Sequence, residues 1–141
     1  MIIEPRGVID TNVVILLPQL IDSPLPPDEP TITSVTLAEL PVGPPVVAGS
    51  TERAARQAHQ QQAEADFVPL AFDAVAARAL GRVAADLGAS GRKPTARAFD
   101  ALIAATAIAN GLALYATNPS DFEAISGLEV RTVPHPDGAV S

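Results

Sequence analysis

Arg97-Ala98-Phe99-Asp100-Ala101-Leu102-Ile103-Ala104-Ala105-Thr106-Ala107-Ile108-Ala109-Asn110-Gly111 is the stretch on which the fold turns. Every position from Ala98 to Ala109 is apolar except Asp100 and Thr106, so a helix here is hydrophobic nearly all round and belongs in an interior. Gly111 supplies its stop. Asp100 is the exception that sets the problem. An ionised carboxylate removed from water without a partner is strongly destabilising. It must be neutralised, paired with a cation such as Arg92 or Arg97, or placed at a cleft where several groups share a bound ion.

Working outward from this helix, residues 112–116 (Leu-Ala-Leu-Tyr-Ala) read as a compact buried strand, and residues 117–122 as a turn. Residues 128–133 follow as an edge-like last strand. On the other side, residues 89–94 form a basic loop with Arg92 and Lys93. Asp73 is placed to cap a helix over residues 74–87 that Gly88 ends, with Val75, Ala79 and Val83 as an apolar stripe and Leu80 and Leu87 beside it. Residues 67–70 read as an irregular, strand-like link. Residues 52–66 are rich in Ala, Gln and Arg and make a polar, exposed or partner-facing helix capped by Gly49-Ser50-Thr51.

Further upstream, Pro41, Pro44 and Pro45 stop the helix that starts at Ser34-Val35-Thr36-Leu37-Ala38-Glu39-Leu40. Thr31-Ile32-Thr33 reads as a short strand before it. Gly7-Val8-Ile9 closes another, and Asp10 sits between that strand and the apolar run at residues 13–17, where an N-cap belongs. Strands alternating with helices predict an α/β fold, a three-layer sandwich with a central, mostly parallel sheet and helices on both faces. Residues 1–133 are expected to form one such domain, with 134–141 as a tail.

Composition narrows the function. The net charge of −7 argues against holding nucleic acid through an overall field, while leaving room for a local basic strip. With no cysteine, disulfides, thiolate nucleophiles and cysteine-ligated metals are excluded, and a reducing cytoplasm is the natural setting. No apolar run approaches the roughly 20 residues that cross a bilayer. Neither G-x-G-x-x-G nor G-x-x-x-x-G-K-[ST] occurs, which removes the phosphate-cradling loops of nucleotide-binding folds.

Ligands collect at the carboxyl ends of parallel strands, and acids gather there in this sequence. Asp10 and Asp121 follow strand ends, Glu39 lies within two helical turns of another, and Asp100 starts its helix. Singly each has an ordinary explanation. Asp10 could be only an N-cap, Glu39 could complete a T-x-x-E capping box with Thr36, Asp121 could hold the Asn118-Pro119 turn, and Asp100 could pair with Arg. Together they suit a hard cation, Mg²⁺ or Mn²⁺, bound through oxygen alone. Crowded carboxylates repel one another, and a divalent ion reverses that penalty.

Four segments also resemble, in order and spacing, the motifs of the PIN-domain family, and in particular its VapC-type toxin ribonucleases of bacterial toxin–antitoxin pairs. These are Val8-Ile9-Asp10-Thr11-Asn12, Ser34 to Leu40 with Gly43, Arg97 to Ala107, and Ala116-Thr117-Asn118-Pro119-Ser120-Asp121-Phe122. The resemblance spans nearly the whole chain. It implies an endoribonuclease dependent on Mg²⁺ or Mn²⁺, a homodimer, and inhibition by a cognate VapB-type antitoxin. By motif position Asp10, Glu39, Asp100 and Asp121 are the metal-binding acids, while Thr11, Thr117 and Asn118 orient substrate. Asn118 stands where many relatives carry Asp, and Ala116 where the family often has Thr. Arg92, Lys93 and Arg97 are placed to meet RNA phosphates.

Two other functions compete. One is a PIN-like module that binds RNA or protein without turnover, for which Ala116 and Asn118 speak. The other is a phosphoacceptor domain, against which stand the lack of an acid pair after the first strand and the position of Lys93, the sole lysine, before a helix. His59 and His135 lack a second histidine at ligand spacing and carry no assigned role.

Overall fold

A computed structural model describes residues 5–20, 27–42, 49–91 and 98–137. Four strands, β1 (Arg6–Ile9), β2 (Glu29–Thr31), β3 (Leu114–Ala116) and β4 (Val130–Thr132), form a wholly parallel sheet in the order β2-β1-β3-β4. The helices are α1 (Thr11–Leu16), α2 (Ser34–Glu39), α3 (Ser50–Asp66), α4 (Ala74–Ala89) and α5 (Ala98–Ala109). Side chains alternate across a strand, and the core divides accordingly. Val8, Leu114 and Ala116 pack with Val83 and Leu87 of α4 and Ile103, Ala104 and Ala107 of α5. Ile9 and Tyr115 face the opposite way, onto Val13 and Val14 of α1 and Ala63 of α3. The expected three layers are present.

α5 is the central helix of the first layer. Residues 101 and 103–107 are buried, as its composition demands. Thr106 returns its hydroxyl to the carbonyl of Leu102 at 2.8 Å, which removes the cost of burying it. Gly111, at φ +65°, ends the turn that follows. α3 is polar for a matching reason, since Ala63 is its one buried residue.

Several expectations are corrected. The second strand runs Glu29–Thr31 rather than over Thr31 to Thr33, because Pro30 is tolerated on an edge strand, where its missing N–H breaks no ladder. Thr33 instead makes an isolated parallel bridge with Leu70, and this bridge is what the strand-like link at residues 67–70 provides. α4 runs through Gly88 to Ala89, and the positive φ of +83° falls at Gly91. Asp73 does cap it, accepting from the Ala76 N–H at 3.0 Å. Val75 lies 47% exposed, so the buried stripe of α4 is Ala76, Val83 and Leu87.

One glycine is set by close approach. A Cβ on Gly7 would stand 2.5 Å from Cε1 of Tyr115 and 3.1 Å from Cβ of Pro27. The Tyr115 ring cannot simply swing away, since its hydroxyl accepts from Arg131 at 2.9 Å and the guanidinium lies 5.6 Å from the ring centroid. Gly7→Ala is therefore expected to cost about 1–3 kcal/mol, read as a lowered urea midpoint. An unchanged midpoint would show that the ring yields freely.

Candidate active site

Because all the strands are parallel, their carboxyl ends share one edge, and the loops leaving that edge carry the acids. Asp10 follows β1 directly. Its N–H donates to the carbonyl of Tyr115 at 2.9 Å, and its carbonyl accepts from Val13 and Val14 to start α1. Asp10 is the N-cap residue of α1, as expected, but its side chain makes no capping hydrogen bond there, so capping alone does not account for the carboxylate. It is 6% exposed. Burial pushes its carboxyl up to about 7 from 3.8, helped next by the charge of Asp100 and then by Glu39 and Asp121, while a hydrogen bond from the Thr11 N–H works the other way. The fold thus places the other three acids within electrostatic reach of Asp10.

Glu39, at the end of α2, is half-buried. The capping-box reading of T-x-x-E fails, because the N-cap is Thr33, whose hydroxyl accepts from the Thr36 N–H at 3.2 Å. Oε1 of Glu39 instead accepts from the Thr11 hydroxyl at 2.6 Å. The same hydroxyl lies 3.1 Å from Oγ1 of Thr36, which is wholly buried. Thr36 was not singled out for the site by its sequence context. The signal available was its spacing, since residues three apart share a helix face and Thr36 therefore accompanies Glu39.

Asp100 occupies the first turn of α5 and is half-buried. Asp121 closes the 3-10 turn Pro119–Asp121 just beyond β3, with Phe122 buried behind it. The turn is closed through the backbone, from the Asp121 N–H to the Asn118 carbonyl at 3.1 Å. Asn118 is exposed and its side chain makes no capping bond, while Thr117 is half-buried. Arg92, Lys93, Arg97 and Gly43 lie outside the described residues.

A groove of about 570 Å³ opens beside Glu39, the one of the four acids that lines it. Thr11, Asn12 and Glu39 line it, Ile15 and Phe99 supply apolar wall, and Glu52, Arg56 and His59 reach it from α3. Chemically the donor set suits a hard divalent cation. It is all oxygen and anionic, and the carboxyl of its most buried member is pushed up to about 7, first by burial and then by the charges of the other acids. Among the described residues no three acids or histidines are drawn in to metal-ligand spacing. Among the described residues no helix is long and apolar enough to cross a membrane.

Comparison with known proteins gives a consistent picture. The family model of the PIN domain matches residues 8–128. Ribonuclease VapC5 of Mycobacterium tuberculosis (strain ATCC 25618 / H37Rv) is 37% identical over 123 residues, which span 86% of this chain and 88% of the relative. A chain of VapBC-5, a member of the VapBC family of toxin-antitoxin systems from Mycobacterium tuberculosis, matches with a TM-score of 0.70 at 32% identity over 92% of this chain and 100% of that chain. In fold alone, the chain is also similar to VapBC2 from Rickettsia felis bound to a DNA fragment from their promoter, with a TM-score of 0.67 at 22% identity over 91% of this chain and 98% of that chain.

Proposed function

The chain belongs to the PIN-domain family, and from that premise we propose that its acidic strand edge hydrolyses RNA phosphodiester bonds, as the toxin of a VapBC-type toxin–antitoxin pair. The observation that carries this reading is Asp10, a buried carboxyl at the end of β1 that feels Asp100, Glu39 and Asp121 together. Such crowding disfavours ionisation of the metal-free site and favours a cation. Kinship with Ribonuclease VapC5 supplies the reaction class and substrate.

Asp10, Asp100, Glu39 and Asp121 are the residues proposed to hold Mg²⁺ or Mn²⁺. When bound, the ion would polarise a phosphoryl oxygen and lower the pKa of an attacking water. The protein's part is positioning. β1 fixes Asp10 through the Tyr115 carbonyl, Thr11 ties down one oxygen of Glu39, and the buried body of α5 fixes Asp100. With its proton committed to Glu39, Thr11 serves the acid rather than the substrate. Asn118 and Thr117, beside Asp121, remain the side chains proposed to orient RNA. Arg92, Lys93 and Arg97 are proposed phosphate contacts from their place in the sequence before α5.

A cognate VapB-type antitoxin, a homodimer and a cytoplasmic site of action complete the proposal. The likeness at 32% identity to VapBC-5, a member of the VapBC family of toxin-antitoxin systems, supports the first. Ala116 and Asn118, at positions where the family often carries Thr and Asp, favour one second reading, a domain that binds without turnover. Cleavage of a mixed RNA pool in Mg²⁺ by wild type and Asp100→Asn decides between them. Asp100→Asn is expected to lose more than about 100-fold in rate, since even the outer partners of a metal site are worth about 10–100-fold. Equal cleavage by both, or by wild type in EDTA, would sink the metal-dependent reading. Metal binding with no cleavage would favour the second.

A further inference from the structure

Thr11 Oγ1 lies 2.6 Å from Glu39 Oε1 and 3.1 Å from Thr36 Oγ1. A hydroxyl has one proton to donate, and an ionised carboxylate can only accept. The Thr11 proton therefore goes to Glu39. The bond between the two hydroxyls must then run from Thr36 to Thr11, which gives it a direction that distance alone does not.

We infer that Thr36 is a positioning residue for the acidic site, acting on Glu39 through Thr11. This rests on the metal-dependent ribonuclease reading above. The relay runs from Thr36 to Thr11 to Glu39 Oε1, and it leaves Oε2 as the oxygen not committed to Thr11. The two ends of the relay sit three residues apart on one face of α2, and its middle sits on the first residue of α1, next to Asp10. Glu39 is thereby fixed relative to Asp10 rather than merely to its own helix.

The Thr36 hydroxyl is not needed to start α2. That task falls to Thr33, whose side chain takes the Thr36 backbone N–H. Nor is it placed for solvent, since Thr36 is 0% exposed. Among the described residues its hydroxyl has Thr11 as partner. Hydrogen bonds in which one member is charged are stronger than neutral ones, and a donor behind Thr11 polarises it toward Glu39.

The test measures Mn²⁺ affinity of the full chain by electron paramagnetic resonance, with Mn²⁺ itself as probe, alongside RNA cleavage. Thr36→Val is expected to weaken Mn²⁺ binding about 10–100-fold, the scale of outer-shell partners, and Thr36→Ser to keep it. In a Glu39→Gln background Thr36→Val should bring no further loss, because its effect travels through that carboxylate. Equal losses in both backgrounds, or wild-type affinity in Thr36→Val, overturn the relay. Should Thr36→Val fail to fold, Thr36→Ala, which also removes the hydroxyl, is taken through the same cycle with Glu39→Gln and decides by the same criterion. A wild type that neither binds Mn²⁺ nor cleaves RNA defeats the underlying reading, and is distinguishable from a wild type that does both while the losses add.

Discussion

Asp10→Asn is expected to abolish RNA cleavage while making the metal-free protein more stable at neutral and higher pH. The two effects share one cause. Burial first, and then the charges of Asp100, Glu39 and Asp121, raise the pKa of this carboxyl from 3.8 to about 7. A group whose folded pKa is raised contributes stability that is complete below its unfolded pKa and is lost as pH climbs through the folded value. For Asp10 the window runs from 3.8 to about 7. At about 1.4 kcal/mol per pH unit the loss across it is on the order of 4 kcal/mol. Asn carries no proton to lose, so the variant should lack this part of the pH dependence. Urea melts in EDTA at pH 5 and pH 8 check it. The wild type should lose stability relative to the variant between the two, and a wild type that gains on the variant would remove the buried-charge account of the site.

Ile103→Ala is expected to cost about 2–5 kcal/mol, the range for emptying a fully buried position. Ile103 is 0% exposed in the core that joins α5 to β1, β3 and α4, among Val8, Leu114, Leu87 and Phe122. It lies one helical turn past Asp100, so the side chain that anchors α5 and the one that serves the site belong to the same short rigid segment. Leu102 is only partly buried and should cost less on the same change. Denaturant midpoints for the two variants measure this, and a cheaper loss at Ile103 would mean that α5 is not the central anchor.

The α5 helix, the β1 end and the turn carrying Asp121 were legible because each has a local signature. An uninterrupted apolar run, a strand followed at once by a capping residue, and Asn-Pro after a buried strand all announce themselves within a few residues. The strand order β2-β1-β3-β4 was not legible, since pairing between segments far apart in the chain leaves no local trace. β2 was misplaced because Pro30 reads as a strand breaker until its edge position is known. The capping alternative for Glu39 fails because Thr33 occupies the N-cap position of α2. The Thr36–Thr11–Glu39 relay was beyond reach for the same reason as the strand order, since it joins residues 25 and 28 positions apart. Propensity sees neighbours, whereas sites are assembled by topology.

The most direct test of the central claim is the end chemistry of RNA fragments made by the purified chain. With Mg²⁺ and water as nucleophile, cleavage should leave 5′-phosphate and 3′-hydroxyl ends, and it should stop in EDTA and in Asp10→Asn. Fragments with 2′,3′-cyclic phosphate ends, or cleavage that persists without divalent ions, would contradict a carboxylate-held metal site.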